Sequence, residues 1–315
     1  MAERILSSSC ALGVALLLTA PVAAQTQSAA TAAASGPRTA WGAPDLNGVW
    51  DFRTLTPFER PSELADQEFF TDEEAAAFEA ERLAEFAVRD DREPADIVGN
   101  YNQFWLIDRW FDNRTSLIVD PPDGRLPART PEAEQRAEAR RAVERPPFPR
   151  GPEDLGGGLR CGGGRVPMTG RGYNSNYQIV QSAGHVAILM EMMHDIRIIP
   201  LDDRPHLTSA IRTALGDARG HWEGDTLVVE TTNLKRGSGG ATRELRLVER
   251  FTRVAQDTLQ YEYTMHDPTT WTQPWTARIF MRPAPGTGVI YEFACHEGNY
   301  ALEHTLRGAR LQEGR

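Results

Sequence analysis

Residues 244–266 read ELRLVERFTRVAQDTLQYEYTMH, two largely alternating apolar and polar runs joined at Ala255-Gln256-Asp257. Period-two alternation marks a half-buried strand, and a short polar joint is of hairpin length. Because strand side chains alternate, Leu245, Leu247, Glu249 and Phe251 share one face of the first run. The pattern extends outward on both sides. Candidate strands are 177–182, 186–192, 194–201, 226–233, 244–254, 258–266, 275–282 and 288–296. Ala183-Gly184, Glu223-Gly224-Asp225 and Pro285-Gly286 punctuate them. Strands this close pair antiparallel, since a parallel crossover needs about a dozen residues or more. The expected fold is mainly β: an antiparallel barrel, a sandwich or a curled sheet, with a few peripheral helices.

Upstream of the strands the chain is more mixed. Leu46-Asn47-Gly48-Val49-Trp50 reads as a first strand. Thr71 with Glu74 forms a capping box ahead of an Ala-rich helix to about Val88, given an apolar side by Phe78 and Phe86. Thr130-Pro131 opens a second helix to about Glu144, polar nearly all round and so expected on the surface. Proline and glycine dominate 146–172, which predicts irregular structure. The N-terminus reads as a signal peptide. Arg4 is followed by an apolar stretch from Cys10 to Ala20, and Val22-Ala23-Ala24 places cleavage after Ala24. Ser7-Ser8-Ser9 does not make a lipobox before Cys10. The expected organisation is a signal peptide over 1–24, a flexible leader over 25–40 and one β-rich domain over 41–315. In that domain a helical and loop embellishment (41–172) precedes a strand-rich core (177–300).

The opening Gly48-x-Trp50 is similar to that of lipocalin-like barrels and tilts the expectation toward a barrel. Six segments carry a broader resemblance: YNQFW (101–105), TSLIVDPPDGRLP (115–127), EMMHDIRIIPLD (191–202), HWEGDTLVVETTN (221–233), DPTTWTQPWTA (267–277) and ACHEGNY (294–300). Together they resemble a family of exported bacterial proteins, most of them described as hypothetical. The resemblance implies export and a common fold, and supplies neither a reaction nor catalytic residues.

Composition bounds the function. A formal charge of −10 argues against a nucleic-acid partner, which would need clustered cations. Of the 34 basic residues only Lys235 is a lysine. No segment after the signal reaches the ~18 apolar residues of a membrane helix, so a periplasmic or secreted location without a membrane span is expected. Cys161 and Cys295 remain after cleavage, and in an oxidising compartment a disulfide is the reading for an even pair; the competing one is a catalytic thiol at Cys295 beside His296. Dinucleotide, Walker and nucleophile-elbow motifs are absent, so no cofactor is expected.

Candidate site residues follow from parity. The even face of 186–198 reads Val186, Ile188, Met190, Met192, His194, Ile196 and Ile198, with Glu191, Asp195 and Arg197 on the odd face. Val289, Tyr291, Phe293, Cys295 and Glu297 share a face of the last candidate strand. Three strands thus each turn one ionisable group inward: His194, Glu249 and Glu297. A buried carboxylate costs several kcal/mol unless paired or wetted. A histidine beside a carboxylate in an apolar cavity is also how a general acid/base is made. A single bulge would exchange these for Asp195 and His296. Arg197 and Tyr300 are candidates for stabilising an oxyanion, with Glu191 and Asn299 completing the two polar clusters. The spacings H-E-x-x-H, H-x-H and C-x-x-C are missing, so no metal is expected; a zinc-type site from His194, His296 and a carboxylate is the lesser alternative. Trp50, Phe104, Trp105, Trp110, Trp222, Trp271 and Trp275 either wall a pocket or fill the core.

Three function classes remain open. One is a cofactor-independent lyase, isomerase or hydrolase acting on a small apolar or aromatic molecule. The second is a lipocalin-like periplasmic binding protein for a hydrophobic ligand, and the third a structural envelope protein. In the first, the site is expected where 191–197 passes 295–300, with the glycine-rich loop 156–164 as its lid or wall.

Overall fold

Ten strands supply the partners that the alternating sequence needs. In the computed structural model these are β1 (Gly48–Asp51), β2 (Ile118–Asp120), β3 (Asn176–Gln181), β4 (His185–Met190), β5 (Ile196–Pro200), β6 (Asp217–Glu223), β7 (Thr226–Thr232), β8 (Arg246–Ala255), β9 (Thr258–His266) and β10 (Trp275–Pro283). Three α-helices accompany them among the described residues: α1 (Asp72–Asp90), α2 (Pro131–Ala142) and α3 (Tyr300–Gln312). The structure describes residues 36–64, 66–90, 110–142, 148–162, 166–169, 173–286 and 288–314, without the side chains of 86–90. The expected signal peptide, most of the leader, the Phe86 side chain and the 101–105 segment lie outside the described residues.

All the pairings within the sheet are antiparallel, in the order β5-β4-β3-β1-β10-β9-β8-β7-β6, with β2 also on β10. Strand β1 is therefore the staple between two meanders. Trp50 faces Tyr177 on one side and Pro283 on the other. Its indole Nε1–H donates to the Leu46 carbonyl at 2.9 Å, and the ring is buried. The two end strands, β5 and β6, lie beside one another with no ladder between them among the described residues, which leaves the barrel nearly closed. Gly220 on β6 explains their close approach. A Cβ there would stand 2.8 Å from both Ile199 and Leu201 side-chain carbons. This mainly β, nearly closed antiparallel barrel is compatible with a lipocalin-like fold.

Burial follows strand parity. Val229, Leu247, Phe251, Leu259, Tyr261, Ile279 and Met281 all point inward and are essentially sealed from solvent. Outside, α1 begins with the expected capping box: Glu74 N–H donates to Thr71 Oγ1 at 3.3 Å and Thr71 N–H to Glu74 Oε2 at 2.8 Å. Phe78 of this helix packs on Phe70 and Phe111. Helix α2 is capped by Thr130, and its small side chains Ala133 and Ala137 are buried.

Two sequence expectations are corrected. The expected strand over 288–296 does not form: 288–299 carries no regular structure and runs into α3. The edges of β10, the strand just before it, are already taken by β9, β1 and β2, so the segment cannot extend the meander by pairing back on β10. The residues that follow, Ala301-Leu302-Glu303, are strong helix formers. Conversely, β6 (DARGHWE) lacks the β-branched residues that betray a strand and escaped detection. It is held by a two-residue turn at Gly224-Asp225, where Gly224 has φ 60°.

Candidate functional site

The chain reversal between β4 and β5 decides which side chains enter the barrel. Leu189 pairs with Ile196 and Ile188 with Arg197. The even residues of β4 and the odd residues of β5 therefore share a face, because opposite residues point the same way. Four residues form the bend, and Met193 (φ 65°) and His194 (φ 55°) both hold left-handed backbone. Continuous parity through this bend would have turned His194, Ile196 and Ile198 inward. Instead His194 is exposed, and Ile196 and Ile198 lie more than half exposed on the outer face. Arg197 takes the inward place.

Arg197 meets Glu249 inside the barrel. Its Nη1 and Nη2 donate to Oε1 and Oε2 at 3.0 and 2.5 Å, a bidentate pair, and Nη2 also reaches Thr231 Oγ1 at 3.2 Å. Tyr261 O–H donates to Glu249 Oε1 at 2.8 Å, and the Met168 amide donates to the Tyr261 oxygen at 3.3 Å. The charged side chains are 2% and 0% exposed. Burial alone would lower the Arg197 pKa, but the attraction and hydrogen bonds of Glu249 outweigh it and the net direction is upward. Burial pushes the Tyr177 and Tyr261 phenols up, and the Glu249 charge adds to this, so both remain protonated. The Arg197 Nε is buried without a partner among the described residues.

The remaining candidates lie elsewhere. His296, Glu297 and Tyr300 are exposed, Tyr300 stacking on His304 at 5.8 Å; Glu297, expected to face inward, does not, because 288–296 is not a strand. No hydrogen bond or ion pair joins His194 or His296 to Glu297 or Glu249 among the described residues. Glu191 Oε2 accepts the Asn176 amide at 3.0 Å, and Asp195 is half-buried. Among the described residues, no group of three or more His, Cys, Asp or Glu is placed to hold a metal ion. Cys161 and Cys295 are joined, with Cα atoms 5.7 Å apart. Asn299 Nδ2 donates to the Leu159 carbonyl at 3.0 Å beside the bridge. The aromatic candidates divide: Trp50, Trp271 and Trp275 are core, while Phe104 and Trp105 lie outside the described residues.

A cavity of about 850 Å³ adjoins this network through Met168 and Tyr177. Phe52, Met168, Tyr177 and Met190 form its apolar floor. The disulfide-tied segment contributes Gly157, Gly158, Arg160 and Gly162, and the loop after β7 contributes Leu234 to Ala241. Met192 and Met193 of the strained bend complete the wall, with Arg140 from α2. No protein-family model matches the chain, and no curated protein matches it. Function must be read from this cavity.

Sequence reasoning missed the loop 234–241. Its signal was visible, since the single lysine stands in Lys235-Arg236-Gly237-Ser238-Gly239-Gly240. Gly239 (φ 59°) and Gly240 (φ 92°) supply backbone that other residues rarely adopt. Asp267 anchors the end of this loop, its Oδ2 accepting the Thr242 amide at 2.6 Å and Thr270 Oγ1 at 2.8 Å, its Oδ1 accepting Thr269 N and Oγ1. Burial pushes the Asp267 carboxyl up, but the hydrogen bonds from Thr269, Thr242 and Thr270 more than reverse this and leave it below the ordinary value. Its stabilisation is therefore complete above the unfolded carboxylate pKa of about 3.9 and is lost as pH falls through the lower folded value. Asp267→Asn is expected to cost about 1–2 kcal/mol at neutral pH. In urea titrations run from about pH 4 to pH 2, the variant should lose less stability than the native chain.

Proposed function

We propose that the protein is a lipocalin-like binding protein that takes a small apolar or aromatic molecule into the cavity between the barrel floor and the 157–162 and 234–241 loops. The cavity carries this reading. Its volume falls in the ~300–1,000 Å³ range of small-molecule sites, and a floor of two methionines, a phenylalanine and a tyrosine suits an apolar guest. The disulfide supports an oxidising compartment and hence export to the periplasm.

The test is a fluorescence titration with N-phenyl-1-naphthylamine, a neutral dye that brightens in apolar surroundings. Saturable uptake at one dye per chain is expected. Ala214 lines the mouth and is exposed, so Ala214→Trp should fill the entrance without disturbing the core and weaken uptake about tenfold. Absence of saturable uptake, or indifference to Ala214→Trp, would overturn the reading.

A second reading keeps the acid–base enzyme: a cofactor-independent lyase, isomerase or hydrolase acting on the same guest. One observation favours it, the left-handed backbone at Met193 and His194 beside the cavity wall, since strain of this kind gathers at functional sites. Under this reading a bound ester or ketone is converted over time, followed by NMR, and His194→Ala stops the conversion while dye uptake persists. A guest recovered unchanged would leave the binding protein alone.

A further inference from the structure

The chain holds 44 acidic residues against 34 basic, yet its cavity is lined by Arg140, Arg160, Lys235 and Arg236 and by no carboxylate among the described residues. Several arginines elsewhere sit on carboxylates, as Arg53 does on Asp51, Arg219 on Asp217 and Arg278 on Glu262. None of the four cavity cations has an ion-pair partner among the described residues. Arg140 has a local explanation, because it lies in the last turn of α2, where a cation complements the helix dipole. The other three have none. Arg160 is half-buried with its Nε sealed from solvent and without a partner, on a loop fixed by the disulfide. Lys235 and Arg236 enter from the opposite loop, whose end Asp267 anchors. Like charges gathered in a concave, partly apolar site repel one another, and an anion placed among them relieves that repulsion and satisfies the free donors. Guanidinium groups present paired donors that match planar or tetrahedral oxyanions.

We infer that the cavity selects an amphiphilic organic anion, its apolar body on the Phe52, Met168 and Met190 floor and its acid group among Arg160, Lys235 and Arg236. The inference rests on the cavity being the ligand site proposed above, and it names the class of ligand. The neutral dye and 1-anilinonaphthalene-8-sulfonate share one aromatic body and differ by the sulfonate, so the pair isolates the charge. The sulfonate should bind about tenfold more tightly than the neutral dye at low salt, the sum expected of two exposed charge pairs and one half-buried one. The advantage should shrink as ionic strength rises.

Lys235→Gln combined with Arg236→Gln changes two exposed side chains, and a thermal melt reports that the fold is kept. This variant should lose most of the sulfonate advantage while its affinity for the neutral dye stays within about twofold, and Arg160→Gln should act in the same direction. Equal affinity of the native chain for both dyes, or a tenfold preference that survives all three substitutions, overturns the anion assignment and leaves the apolar site standing. Failure of both dyes to bind removes the site and the assignment together.

Discussion

Replacing Arg197 with Met is expected to lower the unfolding free energy by about 3–5 kcal/mol, the scale for removing one partner of a buried ion pair. The Glu249 carboxylate would then be left inside the barrel with Tyr261 as its remaining donor, at a position with no solvent exposure. The pair itself need not be a large net source of stability, because both groups were stripped of water to form it. The double replacement Arg197→Met with Glu249→Leu should therefore recover most of the loss. Urea unfolding of the four proteins closes the cycle, and the coupling should far exceed the few tenths of a kcal/mol seen for independent sites. A single Arg197→Met variant within about 1 kcal/mol of the native chain would mean that water reaches Glu249. The network would then belong to the cavity instead of the dry core beside it.

The interior placement of Glu249 was legible from one strand alone. Leu245, Leu247 and Phe251 surround it at period two, and no bend interrupts β8 before Arg253. Its partner was read onto the wrong face, since continuous parity set Arg197 on the odd side, away from the inward even one. Parity carries information along an uninterrupted strand and loses it at every chain reversal, because the number of residues in the bend sets the phase of the next strand. Glu191 to His194 make that bend, and nothing in their sequence fixes its length: two of its residues hold positive φ and neither is glycine. The same limit hid the C-terminal helix. Val289 to Cys295 alternate well enough for a strand, yet whether a strand forms depends on a free sheet edge, which is a property of the whole topology. The cavity was harder still. Its walls come from α2, two glycine-rich loops, the strained bend and the barrel floor, which are distant in sequence and share no periodicity.

Loss of the Cys161–Cys295 bridge is expected to destabilise the chain by about 3–5 kcal/mol and to loosen the cavity as well. The cysteines are 134 residues apart, and the intervening chain contains β3 to β10. Cross-linking so long a span restricts the unfolded ensemble of nearly the whole barrel, so a double Cys161→Ala, Cys295→Ala variant should shift the main unfolding transition and not merely release the C-terminal segment. On the native side, α3 and the residues before it have other ties: Asn299 to the Leu159 carbonyl, and Arg310 to the Pro149 and Arg150 carbonyls. These are single hydrogen bonds at or near the surface, worth about 1 kcal/mol each, and cannot replace a covalent link. Without the bridge, Arg160 and the glycines around it lose their fixed distance from the opposing Lys235 loop. Sulfonate affinity should accordingly fall by about tenfold or more, and neutral-dye affinity by less, because Tyr177 and Met190 of the floor lie on β3 and β4. Hydrogen exchange separates the two effects, since local release raises exchange only in the 157–162 and 288–314 segments while a global loss raises it across the strands as well. An unchanged unfolding midpoint with exchange confined to those segments would place the bridge outside the cooperative core and reduce its role to holding one wall of the cavity.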